Sequence, residues 1–385
     1  MPAEGEANEK TDRRAAPLRG IRAAVLPGVR RPVRIEELEL ASPGPGQVLV
    51  RMAASGVCRS DLHQADGHWD DPGPMVLGHE GAGRIEAVGP GVTAPAVGDL
   101  VALNWYFPCR ACARCLAGLP SQCTGTTALA DRLPDGTTPL RRGDGTEVLP
   151  MLALGTWAEA AVVPAQAAVP LPPEVPPEVA ALIGCAVTTG AAAVLRTAAV
   201  PAGSSVVVIG AGGVGLSAVM AAAVAGAATV VAVDRVAEKL DRARQLGATD
   251  AVLASDDARA TKRAVREAVG GRPDFALECI GLPATVELAI DLVGSGGTAV
   301  LIGIPPLRQH ASFDVGYLID RSARVIGANY GGAVPDEDFP RLARLYLDGR
   351  LPIDRLVEER IPLDGVGDAL EALRAGAGLR RVIVF

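Results

Sequence analysis

Aromatic side chains make up only 3% of this sequence, so its interior has to be packed from Ala, Val and other aliphatic residues, which the 49% hydrophobic share supplies. Positive charge is also in short supply. The formal net charge is -7 and the arginines are interleaved with acids, which excludes the clustered Lys and Arg that a phosphate-neutralising nucleic-acid surface needs. No long hydrophobic run is present. The most apolar stretch, 212 to 228, is mostly Ala and is broken by Gly, so a membrane span is not expected. The first 18 residues mix Arg and Lys with Glu and Asp and lack the apolar segment of a signal peptide. They predict a disordered tail over 1–19 and a cytoplasmic protein. The sequence has no internal repeats. In such a chain the seven cysteines are expected to be metal ligands or buried thiols rather than disulfides.

At 385 residues the chain exceeds what one hydrophobic core usually supports, so two domains are expected. Short alternating runs from Gly20 to Ala54, then Gly81 to Val88 and Val97 to Leu103, predict a β-rich beginning shaped as a partly open barrel or sandwich. From Ser205 the pattern changes to strands alternating with helices, with predicted strands at Ser205 to Ile209, Thr229 to Val233, Asp274 to Ile280 and Thr298 to Ile302. That alternation predicts a doubly wound parallel sheet. A helix over Asp336 to Tyr346 and a terminal strand over Arg381 to Phe385 complete the chain.

Chemistry-bearing residues fall on the loops of the first part. Within Gly56 to His63, the thiol of Cys58 can bind zinc, the Ser60 hydroxyl can take a proton from a bound alcohol, and His63 can pass it to water. The same octapeptide also reads as a buried Cys beside a polar surface turn. His79 and Glu80 lie between glycines and read either as a ligand pair or as a surface pair. Cys109, Cys112, Cys115 and Cys123 are the most specific signal: four thiolates at short intervals close a tetrahedral shell around one structural zinc, although the same thiols would also serve a redox switch. Cys185, flanked by small residues at the expected start of a helix, reads as a tight core position. Cys279 reads as strand packing.

The run Gly210-Ala-Gly212-Gly213-Val214-Gly215 sits between a strand and an Ala-rich helix expected over Leu216 to Ala225. That context suits a dinucleotide, whose pyrophosphate approaches the glycines and the helix N-terminus. Asp234, about twenty residues on, can accept hydrogen bonds from the adenosine ribose and repels the extra phosphate of NADP. NAD is therefore favoured, with Arg235 partly offsetting the repulsion; Lys239 can also reach the ribose.

Taken together, Gly-x-Cys-Arg-Ser-Asp, Gly-His-Glu, the four clustered Cys, a lone Cys before Thr-Gly, and the glycine loop with its downstream Asp resemble the zinc-dependent alcohol dehydrogenases of the medium-chain dehydrogenase/reductase superfamily. The resemblance runs from about Gly20 to Phe385 and is to the longer, liver-type members. It implies an α/β fold in which a Rossmann doubly wound sheet at 187–328 is inserted into a β-rich, GroES-like catalytic domain at 20–186 and 329–385. It implies Cys58, His79 and Cys185 as protein ligands of catalytic zinc, Glu80 as a carboxylate able to approach the metal, and Asp61 as the partner that orients the ligand histidine. It also implies Arg59 and Arg380 on the cofactor pyrophosphate, Asp234 with Lys239 on the ribose, and Val214 and Ile304 beside the cofactor. Two zinc ions and NAD per chain follow, with a small alcohol or carbonyl substrate and a homodimer, or else a tetramer.

The activity so implied is reversible hydride transfer between an alcohol and NAD. Alternatives are a reductase of a specialised aldehyde, ketone or imine, and a zinc-binding redox sensor without turnover. The chain departs from the family at Trp105-Tyr-Phe107, and Trp69, Trp105 and Phe107 are expected to line a pocket for an apolar or aromatic substrate. His63 stands where glutathione-dependent formaldehyde dehydrogenases typically carry Tyr, which argues against that branch.

Overall fold

The structure, a computed structural model, describes residues 18–376 and 378–385. The tail expected over 1–19 lies almost entirely outside the described residues. Two β-assemblies form the first lobe. A closed barrel links Leu18–Leu26, Arg34–Leu40, Leu140–Arg141, Glu147–Pro150 and Met75–Val76. Beside it, a seven-stranded sheet is centred on Gln47–Gly56, which pairs with both Glu80–Val88 and Ala160–Pro164. The barrel is closed, not partly open, because the short strand Leu140–Arg141 pairs with both Arg34–Leu40 and Glu147–Pro150.

The C-terminal strand returns to this lobe. Arg380–Val384 runs antiparallel to Gln47–Gly56, with Val382 opposite Gly56. A residue more than 300 positions away is thereby delivered next to Val57 and Cys58.

The second lobe is a six-stranded parallel sheet in the order Asp250–Leu253, Thr229–Asp234, Ser205–Ile209, Phe275–Glu278, Thr298–Leu301, Arg324–Gly327. Strand order reverses between Ser205–Ile209 and Phe275–Glu278, and ligands bind at the carboxyl ends of such a switch point. Val206, Val207 and Val208 are each fully buried, as expected of a strand covered on both faces, where an unbroken β-branched run replaces alternation. Burying each such side chain stabilises the fold by roughly 1.5–3 kcal/mol. The helix over Gly213–Val224 begins three residues before the expected Leu216, because Gly212 is its N-cap and the glycines themselves form the first turn.

Between the lobes, Pro177–Thr197 is one continuous apolar helical stretch. It is long enough to cross a membrane, but 83% of its apolar window is buried inside the protein, which makes it a core element. Cys185 lies in the middle of it, in a π-helical segment over Ile183–Val187, and not at a helix start. The wider π turn re-aims side chains and is common at functional sites.

Candidate active site

Gln47–Gly56 ends at a glycine for a steric reason. A Cβ on Gly56 would lie 2.1 Å from Glu80 Oε2. The chain then turns at Cys58, the N-cap of the helix Arg59–Ala65. Asp61, fully buried, organises this turn: its Oδ2 accepts the Cys58 amide at 2.8 Å, and its Oδ1 accepts the Gly78 amide at 3.2 Å and pairs with His79 Nδ1 at 3.0 Å. With Nδ1 so engaged, His79 presents Nε2 as its ligand atom.

The sulfur atoms of Cys58 and Cys185, a ring nitrogen of His79 and a carboxylate oxygen of Glu80 all lie within 4.8 Å of one another, and all four residues are buried. A hydrogen bond from Cys185 lowers the pKa of Cys58, and the same bond raises that of Cys185. Burial pushes Glu80 up to about 8 against the opposing charge of Arg380, whose Nη2 lies 3.3 Å from Glu80 Oε1. That ion pair is too poorly aligned to be a hydrogen bond, and both Glu80 oxygens lack a hydrogen-bond partner. Two thiols, an imidazole and an orphaned carboxylate are a zinc donor set, and a cation there satisfies what is otherwise a costly buried cluster. The expected ligands Cys58, His79 and Cys185 are thus brought together, and Glu80 with them.

Cys109, Cys112, Cys115 and Cys123 likewise hold their sulfurs within 4.8 Å of one another. Their Cys112–Cys123 separation of 3.9 Å is far from a disulfide and close to the edge, about 3.8 Å, of a tetrahedron built on 2.3 Å zinc–sulfur bonds. The backbone amides of Cys109 and Cys112 donate to the Cys123 and Cys109 sulfurs, and Gly125 leaves room where a Cβ would lie 2.8 Å from Cys109 Sγ. These four residues fit a closed structural site.

Both lobes face a cleft of about 1400 Å³. On the nucleotide side Gly210, Gly212, Gly213 and Val214 line it, with Asp234, Lys239 and Ile304. Gly215 lies behind them, because its Cα packs against the Gly210 carbonyl, from which a Cβ would be 1.7 Å. The Asp234 carboxylate accepts amides from Ala211 at 2.8 Å and Val236 at 3.0 Å, so it fixes the loop as well as facing the cleft. Arg380 is buried against Gly213, where a Cβ would lie 2.2 Å from its Nε, and that Nε is an unpaired donor. Arg59 also lines the cleft, anchored weakly on the Leu373 carbonyl at 3.4 Å. Lys239 reaches the Gly376 carbonyl at 3.3 Å. Arg235 also lines the cleft, in an exposed ion pair with Asp256.

Ser60 and His63 both line the cleft, three residues apart and therefore on one face of their short helix. His63 meets Trp69 edge-on at 5.8 Å, and burial holds its pKa below the usual histidine value. Trp69 and Trp105 line the cleft as expected. Phe107 does not: it is 1% exposed and packs into the core beneath, so its expected place in a substrate pocket is corrected. The reason is local, since Tyr106 bonds its amide to Asn104 Oδ1 and its hydroxyl to the Cys123 carbonyl, a turn that sends the next ring inward. Tyr106, the middle residue of the same aromatic run, lines the cleft too, whereas sequence reasoning missed Tyr330 and Asp131 as lining residues. The Tyr330 ring lies tilted against Trp105, with centroids 4.8 Å apart, and its hydroxyl donates to the Gly184 carbonyl. Its only sequence signal is the pair of glycines that follows it.

A family model described as an alcohol dehydrogenase GroES-like domain matches residues 44–173, and one described as a zinc-binding dehydrogenase matches 213–348. An NDMA-dependent alcohol dehydrogenase of Amycolatopsis methanolica is 40% identical over 94% of this chain and 98% of its own. Among solved structures, an alcohol dehydrogenase zinc-binding domain protein from Burkholderia ambifaria superposes with a TM-score of 0.90 at 40% identity, covering 95% of this chain and 99% of that one. Benzyl alcohol dehydrogenase from Acinetobacter calcoaceticus gives a TM-score of 0.87 at 34% identity, covering 96% of this chain and 100% of that one. With both lobes matched over nearly their whole length and the donor sets in place, the chain belongs to the zinc-dependent alcohol dehydrogenases of the medium-chain dehydrogenase/reductase superfamily.

Proposed function

We propose that this oxidoreductase of alcohols is zinc- and NAD-dependent and interconverts an alcohol with its aldehyde or ketone. The observation that carries the reading is that the buried donor set of Cys58, His79 and Cys185 and the glycine loop at Gly210–Gly215 open on one cleft, with Ser60 and His63 on the wall between them. Zinc held by Cys58, His79 and Cys185 supplies Lewis acidity to a substrate oxygen, and the nicotinamide supplies the hydride acceptor. The chain's own residues move the proton. Ser60 Oγ takes it from the substrate hydroxyl, and neutral His63 accepts it from Ser60 and releases it to water. Asp61 keeps His79 in one tautomer, and Arg380 and Arg59 offer cationic donors to the pyrophosphate. Asp234 supports NAD over NADP, and Asp256, which pairs with Arg235 on the cleft wall, adds negative charge beside it.

The test is oxidation of benzyl alcohol by the purified protein with NAD, NADP or NDMA supplied separately, alongside elemental analysis. Turnover with NAD well above NADP and two zinc ions per chain are expected; one zinc per chain would sink the two-site model. A second reading, favoured by the name of the Amycolatopsis methanolica relative, is NDMA dependence. Turnover with NDMA and none with free NAD would establish it.

His63 yields a pH prediction. Because its folded pKa is depressed, it stays unprotonated and able to accept a proton to below the ordinary histidine value of about 6.5. The acid limb of kcat/KM for alcohol oxidation is expected below that pH, and His63→Asn should remove the limb and lower the rate by about 10²-fold. An unchanged profile in His63→Asn would exclude it from proton transfer.

We also infer a homodimer formed through the nucleotide lobe. Arg324–Gly327 is an edge strand with unpaired backbone groups on its outer side, and Phe313, Val315, Ile319 and Val325 are exposed near it. Edges of that kind are normally covered. Light scattering should give twice the chain mass, and Val325→Pro, which removes an edge donor, should shift the protein toward monomer.

A further inference from the structure

The substrate side of the cleft contains a carboxylate that neither the metal set nor the nucleotide loop uses. Asp131 lines the wall, and its Oδ1 accepts the Leu152 amide at 2.7 Å. No cation accompanies it among the described residues, and its neighbour Arg132 turns instead to Glu147. Asp131 and Leu152 both sit at φ 53, in the left-handed region that L-residues rarely adopt, so the bond between them holds the carboxylate in a fixed place. Burial pushes its pKa up to about 6. At neutral pH it is therefore an ionised, uncompensated charge in a partly desolvated wall.

Around it the cleft is aromatic. Leu152, which anchors Asp131, packs against both hydrophobic clusters, one carrying Trp105 and Tyr106 and the other Trp69. With Tyr330, these are four of the twelve aromatic residues in a chain that has few, all gathered on one cleft. Aromatic faces carry partial negative charge and attract cations. The Lys and Arg side chains of the cleft, Arg380, Arg59, Arg235 and Lys239, belong instead to the nucleotide side. Cations for phosphates and an anion with π faces for substrate are thus segregated.

We propose that the alcohol taken by this site carries an ammonium group remote from its carbinol, with Asp131 as counter-ion and the apolar spacer lying along the aromatic wall. The inference rests on the alcohol oxidoreductase reading above and names its substrate class as amino alcohols. Asp131 is then a specificity-determining residue that disfavours substrates bearing a carboxylate.

The experiment compares 4-(aminomethyl)benzyl alcohol with its neutral analogue 4-methylbenzyl alcohol on the zinc-loaded full chain. The wild type should favour the cationic probe in kcat/KM by about tenfold, and Asp131→Asn, which keeps an acceptor for the Leu152 amide, should abolish that ratio. Asp131→Lys should turn the preference toward 4-(hydroxymethyl)benzoate. Binding of the same probes without an electron acceptor, read as quenching of tryptophan fluorescence, should show the same ordering. Equal ratios for wild type and Asp131→Asn in both turnover and binding would overturn the proposal. If neither probe is oxidised with any acceptor, the hydride-transfer reading fails, and the binding ratio alone still decides on Asp131.

Discussion

Cys58→Ala is expected to reduce zinc from two ions to one per chain and to lower alcohol turnover by at least about 10³-fold, because several kcal/mol of charge stabilisation at the substrate oxygen are removed. The fold should survive. Cys58 is held through its backbone amide, which donates to Asp61 Oδ2 at 2.8 Å and is untouched by the substitution, and the side chain lost is small. The Cys109 to Cys123 cluster is a separate site and should keep its metal. Elemental analysis, circular dichroism and steady-state kinetics on the same preparation would check this. Retention of two zinc ions, or of wild-type turnover, would remove Cys58 from the metal shell.

The second large effect concerns the nucleotide loop. Gly215→Ala places a methyl group where the Gly210 carbonyl oxygen is 1.7 Å away, and that atom is backbone, which cannot rotate aside. The helix over Gly213–Val224 must then retreat from the strand Ser205–Ile209, moving Gly212 and Gly213 out of their place on the cleft wall. Overpacking of this kind costs about 1–3 kcal/mol, and if it falls on the cofactor-binding geometry the Kd for NAD should rise by about 10- to 100-fold. Isothermal titration with NAD measures it directly. By contrast, Gly212→Ala meets no protein atom within 4 Å and should leave the helix–strand packing intact, so equal losses of thermal stability at the two positions would refute the steric account.

The contrast between those two glycines shows why the glycine loop was legible and its internal division of labour was not. The strand–loop–helix context alone identifies a dinucleotide site, since it rests on local propensity and spacing. That Gly215 guards a helix–strand contact, Gly213 admits Arg380 and Gly212 has open space depends on what approaches each Cα from elsewhere in the chain. Phe107 teaches the same lesson from the opposite side. Its sequence neighbours Trp105 and Tyr106 line the cleft, but the direction of a ring is set by the turn anchored on Asn104 and Cys123, which no pattern of residue types specifies.

By itself the sequence determined the two-lobed α/β architecture, the four-cysteine cluster and the glycine loop with its acidic partner, because each is encoded by periodicity or by spacing within a few residues. Which distant residues share a site was implied only by the family resemblance, not by periodicity or spacing, and is decided by the tertiary structure. Gly56–His63 is joined by His79 on the adjoining strand end, by Cys185 from the middle of a π-helical turn, and by Arg380 through the return of the last strand, while Asp131 enters the cleft wall on a bond to Leu152. The physical reason is that ligand shells and binding walls form from atoms brought within a few ångströms by packing. Burial and unpaired charge, which give Glu80 and Asp131 their chemistry, exist only once the surrounding chain has excluded water.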